Sequence, residues 1–208
     1  QTDVVKKEII YRHFAFINAL RLQLREHTSP EIWMKEVKPF LTDTEYVTIK
    51  ACSNSATQLI KLQSIAVRKL YDEGLITEFM FLDMDAMLTK FYTYQGQTER
   101  IKKTSFLPTY HFFARMFLYF FITLLPFSLL SSVDKATITW MLVPITVAIG
   151  WVFHKVYRNG HVYAYPFDGN VYDIPMDSIC NTIEIDLKEM MGEDSIPEKV
   201  VAIDGVLM

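Results

Sequence analysis

The chain has 208 residues, of which 50% are hydrophobic and 22% charged, and a formal net charge of −3. That balance excludes an intrinsically disordered chain, which needs low hydrophobicity and high net charge, and a nucleic-acid binder, which needs a basic face. Cys52 and Cys180 stand at neither redox nor metal-ligand spacing, and read as packing thiols of a reducing compartment.

The sequence opens at Gln1 in charged helical sequence, with no initiator Met and no signal peptide, and so reads as a piece of a longer protein. Val4 to Glu26 is predicted as a helix, with Ile10, Phe14, Ile17 and Leu24 at helical spacing. Its polar side holds Arg12, His13, Asn18, Arg21, Gln23 and Arg25, donors suited to carboxylates, and reads as a solvated or inter-helix ion-pair face. His27 to Glu45 reads as irregular, apart from a short helix around Ile32 to Val37 that Ser29-Pro30 opens and Pro39 ends. Asn54 to Tyr71 is a further helix with the stripe Leu59, Leu62, Ala66 and Leu70, closed by Gly74.

Thr77 caps the next helix, expected to run to about Gln95. Phe79, Met80, Phe81, Leu82, Met84, Met87, Leu88, Phe91 and Tyr92 make most of its circumference apolar, so it needs neighbours on nearly every side. Helices of other subunits are the natural source of such cover.

Two uncharged runs follow, from Met116 to Val133 and from Ala136 to His154. Each approaches the roughly 20 residues that a helix needs to cross a hydrocarbon core about 30 Å thick. The connector from Ser131 to Thr137 allows only a tight reversal, so the runs are predicted to form an antiparallel transmembrane hairpin. Arg100, Lys102, Lys103 and Arg115 precede it and Lys155 and Arg158 follow, so the positive-inside rule puts both ends in the cytoplasm. Pro126 and Pro144 are each expected to interrupt a helix and kink it.

Beyond the hairpin, Pro166 to Asn170 forms a turn and Pro175 opens the last helix at its first position. Met176, Ile179, Cys180, Ile183, Leu187 and Met190 make its apolar stripe and Gly192 ends it. The tail from Glu193 reads as an extended arm that docks or stays loose.

No catalytic constellation emerges. The histidines are scattered, and no phosphate-cradling glycine loop or nucleophile elbow is present in the sequence. Asp177, Glu184 and Asp186 read as acids of a helix face turned to water, and the hairpin runs hold no Asp, Glu, Lys or Arg that would mark a proton relay. The expectation is a non-enzyme with no cofactor and no resident metal.

Three motifs in order then resemble the bestrophin family, in its bacterial branch. They are the run from Tyr11 to Arg25, containing Arg12, His13 and Arg21; Glu99-Arg100-Ile101-Lys102-Lys103-Thr104 just before the hairpin; and Asp173-Ile174-Pro175-Met176-Asp177, leading on through Glu184 to Gly192. The resemblance implies a homopentameric ion channel in the cell membrane, passing chloride or other anions, or monovalent cations as in some bacterial relatives. It also implies a preceding pair of hydrophobic helices, one lining a neck in the bilayer, and a cytoplasmic constriction at the start of the helix before the Glu99-Arg100-Ile101 motif. The matching positions are Ile76, Phe79 and Met80.

Two departures stand out. Thr104 is followed by Ser105-Phe106-Leu107-Pro108 in place of the family's Thr-Pro-x-Pro, and Asp168 and Asp173 alone remain of the acidic run that clasps calcium in eukaryotic members. They supply too few oxygens for the roughly 6 to 8 ligands calcium takes.

The expectation is therefore an all-α, polytopic membrane protein with a bestrophin-like fold: a cytoplasmic helical region at 1–110, a transmembrane hairpin at 111–157, and a cytoplasmic C-terminal helix and tail at 158–208. Its partners are copies of itself, the lipid bilayer and small inorganic ions, with no nucleic acid. A membrane-anchored helical scaffold that binds cytoplasmic proteins is the rival reading.

Overall fold

Helix α1, Thr2–Leu24, is the centre of the larger of two units. A computed structural model of the chain describes residues 2–26, 29–104, 108–130, 139–163, 165–171, 173–203 and 207. The described residues fold into helices and connecting turns; one unit joins Gln1–Lys103 with Phe167–Met208, and the other is Thr104–Pro166.

In the first unit α1 is buried nearly all round from Arg12 to Leu24, while Val4, Lys6, Lys7 and Glu8 in its first turns are exposed. Phe14, Ala15 and Ala19 have no exposure, and Phe16, Leu22 and Leu24 very little. Its polar residues go inward too, Arg12, Asn18 and Arg21 being buried, because α1 meets partners on every side rather than solvent on one. The shorter helices α2, Pro30–Glu36, and α3, Asp43–Lys50, follow, separated by a single 3-10 turn at Lys38–Phe40. Helix α3 lies partly in the stretch expected to be irregular. Its start is a capping box: the Thr42 hydroxyl accepts from the Glu45 backbone N–H, and the Glu45 carboxylate accepts from that of Thr42.

Helix α4, Ser55–Asp72, runs antiparallel to α1, since the Gln63 amide reaches the Ile9 carbonyl at 3.2 Å while Gln23 reaches the α4 cap. Asn54 is that cap, accepting from the Thr57 N–H at 3.0 Å. Leu59 and Val67 are fully buried against α1, and replacing Leu59 by Ala would cost about 2–5 kcal/mol. Gly74, at φ +70, closes the helix in the left-handed conformation that its lack of a Cβ permits.

Helix α5, Glu78–Lys103, continues beyond the expected end near Gln95. Gly96 does not break it, and the polar residues after it lie in helix because Gln95 is buried and hydrogen-bonded. Helix α8, Met176–Met191, packs on α1 and ends at Gly192, φ +69. Pro175 is its N-cap residue, one position earlier than expected. The arm beyond it docks: Asn181 donates to the Glu198 carbonyl and accepts from the Val200 N–H, both at 3.1 Å.

The second unit pairs α6, Pro108–Leu130, with α7, Leu142–Tyr163, the latter preceded by a 3-10 turn at Thr139–Met141. The pairing is antiparallel. Tyr157 donates to the His111 carbonyl at 3.1 Å, Phe121 meets Phe153 edge-on at 5.0 Å, and Gly150 faces Ile122. The connector expected at Ser131 to Thr137 lies outside the described residues. Among them Thr109–Leu130 is the stretch long and apolar enough to cross a membrane, and its side chains are unburied within the chain. Helix α7 starts later than the uncharged run and carries Lys155 and Arg158 in its second half. Pro126 lies inside α6, whereas Pro144 sits in the first turn of α7, where its missing N–H breaks no helical hydrogen bond.

Candidate pore-lining segment and its supports

The bend before α5 and the first turn of α5 carry the three positions matched to a constriction, and the structure separates them. The turn is set by Gly74, after which the Leu75 N–H bonds back to the Leu70 carbonyl at 2.9 Å, and by Thr77, whose hydroxyl accepts from the Met80 N–H at 3.3 Å. Ile76 is half-buried and packs against the hydrophobic core. Phe79 is 83% exposed and Met80 52% exposed. Below them Phe81, Met84, Leu88 and Phe91 turn inward at helical spacing, while Leu82, Met87, Tyr92 and Tyr94 turn outward. Within this chain, then, α5 covers a single stripe of an apolar cylinder.

Behind that stripe the supports are polar and specific. Glu99 accepts from Asn54 at 2.8 Å and from Gln95 at 2.7 Å, and Gln95 also reaches the Thr57 hydroxyl at 2.9 Å. The N-cap of α4 is thereby tied to the last turns of α5. His13 lies against Phe91, ring centroids 5.0 Å apart, and against Phe16 at 5.9 Å. Burial lowers its pKa below the ordinary histidine value, which favours the uncharged ring.

The arginines of α1 hold neighbouring elements in turn. Arg12 pairs with Glu45 of α3 at 2.7 Å through Nε and with Glu8 through Nη2. Burial pushes the Glu45 carboxyl up, but hydrogen bonds from Thr42 and Arg12 outweigh it and leave the pKa below the usual carboxylate value. Arg21 pairs with Asp177 at 2.8 Å and Glu36 at 2.9 Å, and Arg25 with the other Asp177 oxygen at 2.5 Å. Asp177 is thus an ion-pair hub and not the water-facing acid expected; Glu184 pairs with Lys188 at 2.8 Å, and Asp186 is exposed as expected. Burial pushes the nearby Cys180 thiol up to about 11.

The loop into α8 is organised by Asp173, which accepts from the backbone N–H groups of Phe167, Gly169 and Ile174 at 2.7–2.8 Å. These bonds overcome the upward push of burial and hold its carboxyl below the ordinary aspartate value. Asp168 pairs with Lys102 at 2.5 Å. Both acids that matched a calcium clasp are therefore engaged by protein donors, and among the described residues no group of three or more His, Cys, Asp or Glu is placed to hold a metal.

The motif residues thus do not converge on one site. Arg21 and Asp173-Pro175 shape the junction of α1 and α8, Arg12 pins α3, His13 and Glu99 pin α5, and Arg100 is exposed. Sequence reading missed Asn54 and Gln95. Asn54 was findable as an Asn-x-x-Thr cap before a helical run, whereas nothing local marks Gln95.

The chain combines a helical unit pinned by buried arginines with a helix pair whose apolar surface is unburied, which defines a membrane-associated helical class. A family model described as bacterial/fungal bestrophin matches residues 1–189, and the chain belongs to that family. Among similar proteins are the voltage-dependent anion channel-forming protein YneE of Escherichia coli K12, 29% identical over 94% of this chain, and sll1024 of Synechocystis, which bears the same description, 25% identical over 89%. The matches cover 61% and 58% of those proteins, so the chain spans about three fifths of their length. The crystal structure of a bacterial bestrophin homologue from Klebsiella pneumoniae superposes with a TM-score of 0.83 at 25% identity, covering 93% of this chain and 68% of the other.

Proposed function

We propose that the chain is the greater part of a subunit of a homopentameric channel that passes small monovalent anions across the cell membrane. Helices α6 and α7 cross the bilayer as an antiparallel pair, and the unit built on α1, which includes α8, lies in the cytoplasm. The family and the names of the relatives support the activity, and one observation carries it to particular residues: α5 spends its inner stripe on the subunit core and leaves Phe79 and Met80 exposed at its first turn. A ring of five Phe79 side chains would form a constriction that sorts ions by size and by the work of removing their water. Copies of the chain would cover the remaining outer face of α5.

The test is reconstitution of the full-length protein in planar bilayers with a KCl gradient. The expected reversal potential lies toward that of chloride, and Phe79→Ala is expected to change conductance or relative permeability while Met80→Ala changes it less. A reversal potential toward potassium would overturn the anion assignment, and unaltered permeation in Phe79→Ala would move the constriction elsewhere. Mass measurement in mild detergent checks the pentamer; a monomer would remove it.

A further inference from the structure

We propose that one face of α7 binds an anionic phospholipid of the inner leaflet, its phosphate held between Lys155 and Arg158 and a chain lying along Trp151, Val147 and Val143. Val143, Val147, Trp151 and Lys155 follow at steps of four, with Arg158 three residues on, so the five share one face of the helix. All five are exposed within the chain. Their face differs from the one carrying Gly150, Phe153 and Tyr157, which meets α6. Along it the chemistry passes from apolar to aromatic to basic, the order in which a lipid offers its chain, its glycerol region and its phosphate. Lys and Arg stems can lie on apolar surface while their charged heads reach the headgroups.

Charge complementarity names the headgroup. Two turns from the contact of Gly150 with Ile122, the antiparallel helices bring Tyr157 level with Arg115 of α6, so Arg115, Lys155 and Arg158 lie at one depth. All three are exposed, and none has an ion-pair partner among the described residues. The sequence from Thr104 to Pro166 holds a single acid, Asp134, in the connector at the other end of both helices. A zwitterionic headgroup brings its own cation to such a place, whereas an anionic one brings only the negative charge that the three cations lack. A positive-inside bias asks for cations near helix ends; it does not ask that they stand unpaired on one stripe next to a tryptophan. The inference rests on the reading that α7 crosses the bilayer, and it uses none of Ile76, Phe79 or Met80.

The experiment is thermal melting of the full-length protein in a neutral detergent with added phosphatidylglycerol, phosphatidylcholine or free glycerol phosphate. Phosphatidylglycerol is expected to raise the melting temperature saturably, and less so in high salt; phosphatidylcholine should do less and glycerol phosphate nothing. Lys155→Gln combined with Arg158→Gln should raise the half-saturating concentration of phosphatidylglycerol by about twentyfold, each lost cation contributing about fivefold. Lys155→Arg keeps the charge and should keep the response. Lys61→Gln combined with Lys199→Gln removes the same charge from exposed sites of the first unit and should also keep it. Equal shifts with both lipids, an equal shift with glycerol phosphate, or an equal loss in the Lys61 and Lys199 variant would each overturn the site. So would a lower oligomeric mass of the Lys155 and Arg158 variant with its lipid response intact, since the stripe would then meet a second copy of the chain. Thr139→Cys and Asn159→Cys, treated with a membrane-impermeant maleimide and read at each site by peptide mass, separate the two readings. Labelling of both from one side overturns the crossing of α7 and this site with it, whereas labelling from opposite sides without a phosphatidylglycerol preference overturns the site alone.

Discussion

The Asn54 amide donates to the Glu99 carboxylate at 2.8 Å while its carbonyl oxygen accepts from the Thr57 N–H at 3.0 Å, so one side chain starts α4 and holds the end of α5. Asn54→Ala should cost about 1 kcal/mol for the lost cap, and about 1–3 kcal/mol more for depriving buried partners of it. Asn54→Asp keeps an oxygen for the cap but sets a carboxylate against Glu99. If thermal melts show the Asp variant as stable as wild type, the link to Glu99 contributes nothing.

Ile76, in the bend before α5, and Phe79, in its first turn, should differ in what they do. Ile76→Ala removes a side chain packed on the core and should lower stability by about 2 kcal/mol. Phe79→Ala removes an exposed one and should stay within about 0.5 kcal/mol. Melting both variants of the full-length protein gives the ordering; the reverse order would mean that Phe79 packs and Ile76 lines.

A Cβ on Gly150 would stand 3.3 Å from the Ile122 Cγ2, tighter than ordinary contact. Small residues let membrane helices approach closely, so a bulky replacement should force α6 and α7 apart. Gly150→Leu is expected to destabilise by about 1–3 kcal/mol and to lower expression, and Gly150→Ala by less. A Leu variant that expresses and melts like wild type would show that the helices have room to spare.

Asp173 should make stability depend on acid pH. Its folded pKa lies below the unfolded value of 3.8, so its contribution is complete above that value and is lost as pH falls through the folded pKa. Asp173→Asn should therefore be less stable than wild type near neutrality, with the gap narrowing as pH drops below 3.8. Melts at pH 6 and at pH 3 measure the gap; a constant difference would mean that the three backbone N–H groups do not favour the ionised form.

The helices of this chain were largely legible because their signals are local. The helix start at Asn54, the cap at Thr77 and the glycines at 74 and 192 fix ends within a turn of the observed ones. Helix α3 was missed although Thr42-Asp43-Thr44-Glu45 spells its capping box, because the expectation rested on the apolar period and this helix buries only Tyr46 and Ile49. The roles of Asp177 and Gln95 were not legible. Asp177 meets Arg25 across 152 positions and Gln95 meets Thr57 across 38, and no window of sequence contains both partners.

Asn181 grips the C-terminal arm through the Glu198 carbonyl and the Val200 N–H, both of them backbone groups, while Val201 and Ile203 just beyond remain 77% and 78% exposed. The grip is blind to which side chains the arm carries. Substitution along the arm can therefore rewrite what it offers to the outside without altering where it departs from α8, so that the place of contact and the content of contact are inherited separately.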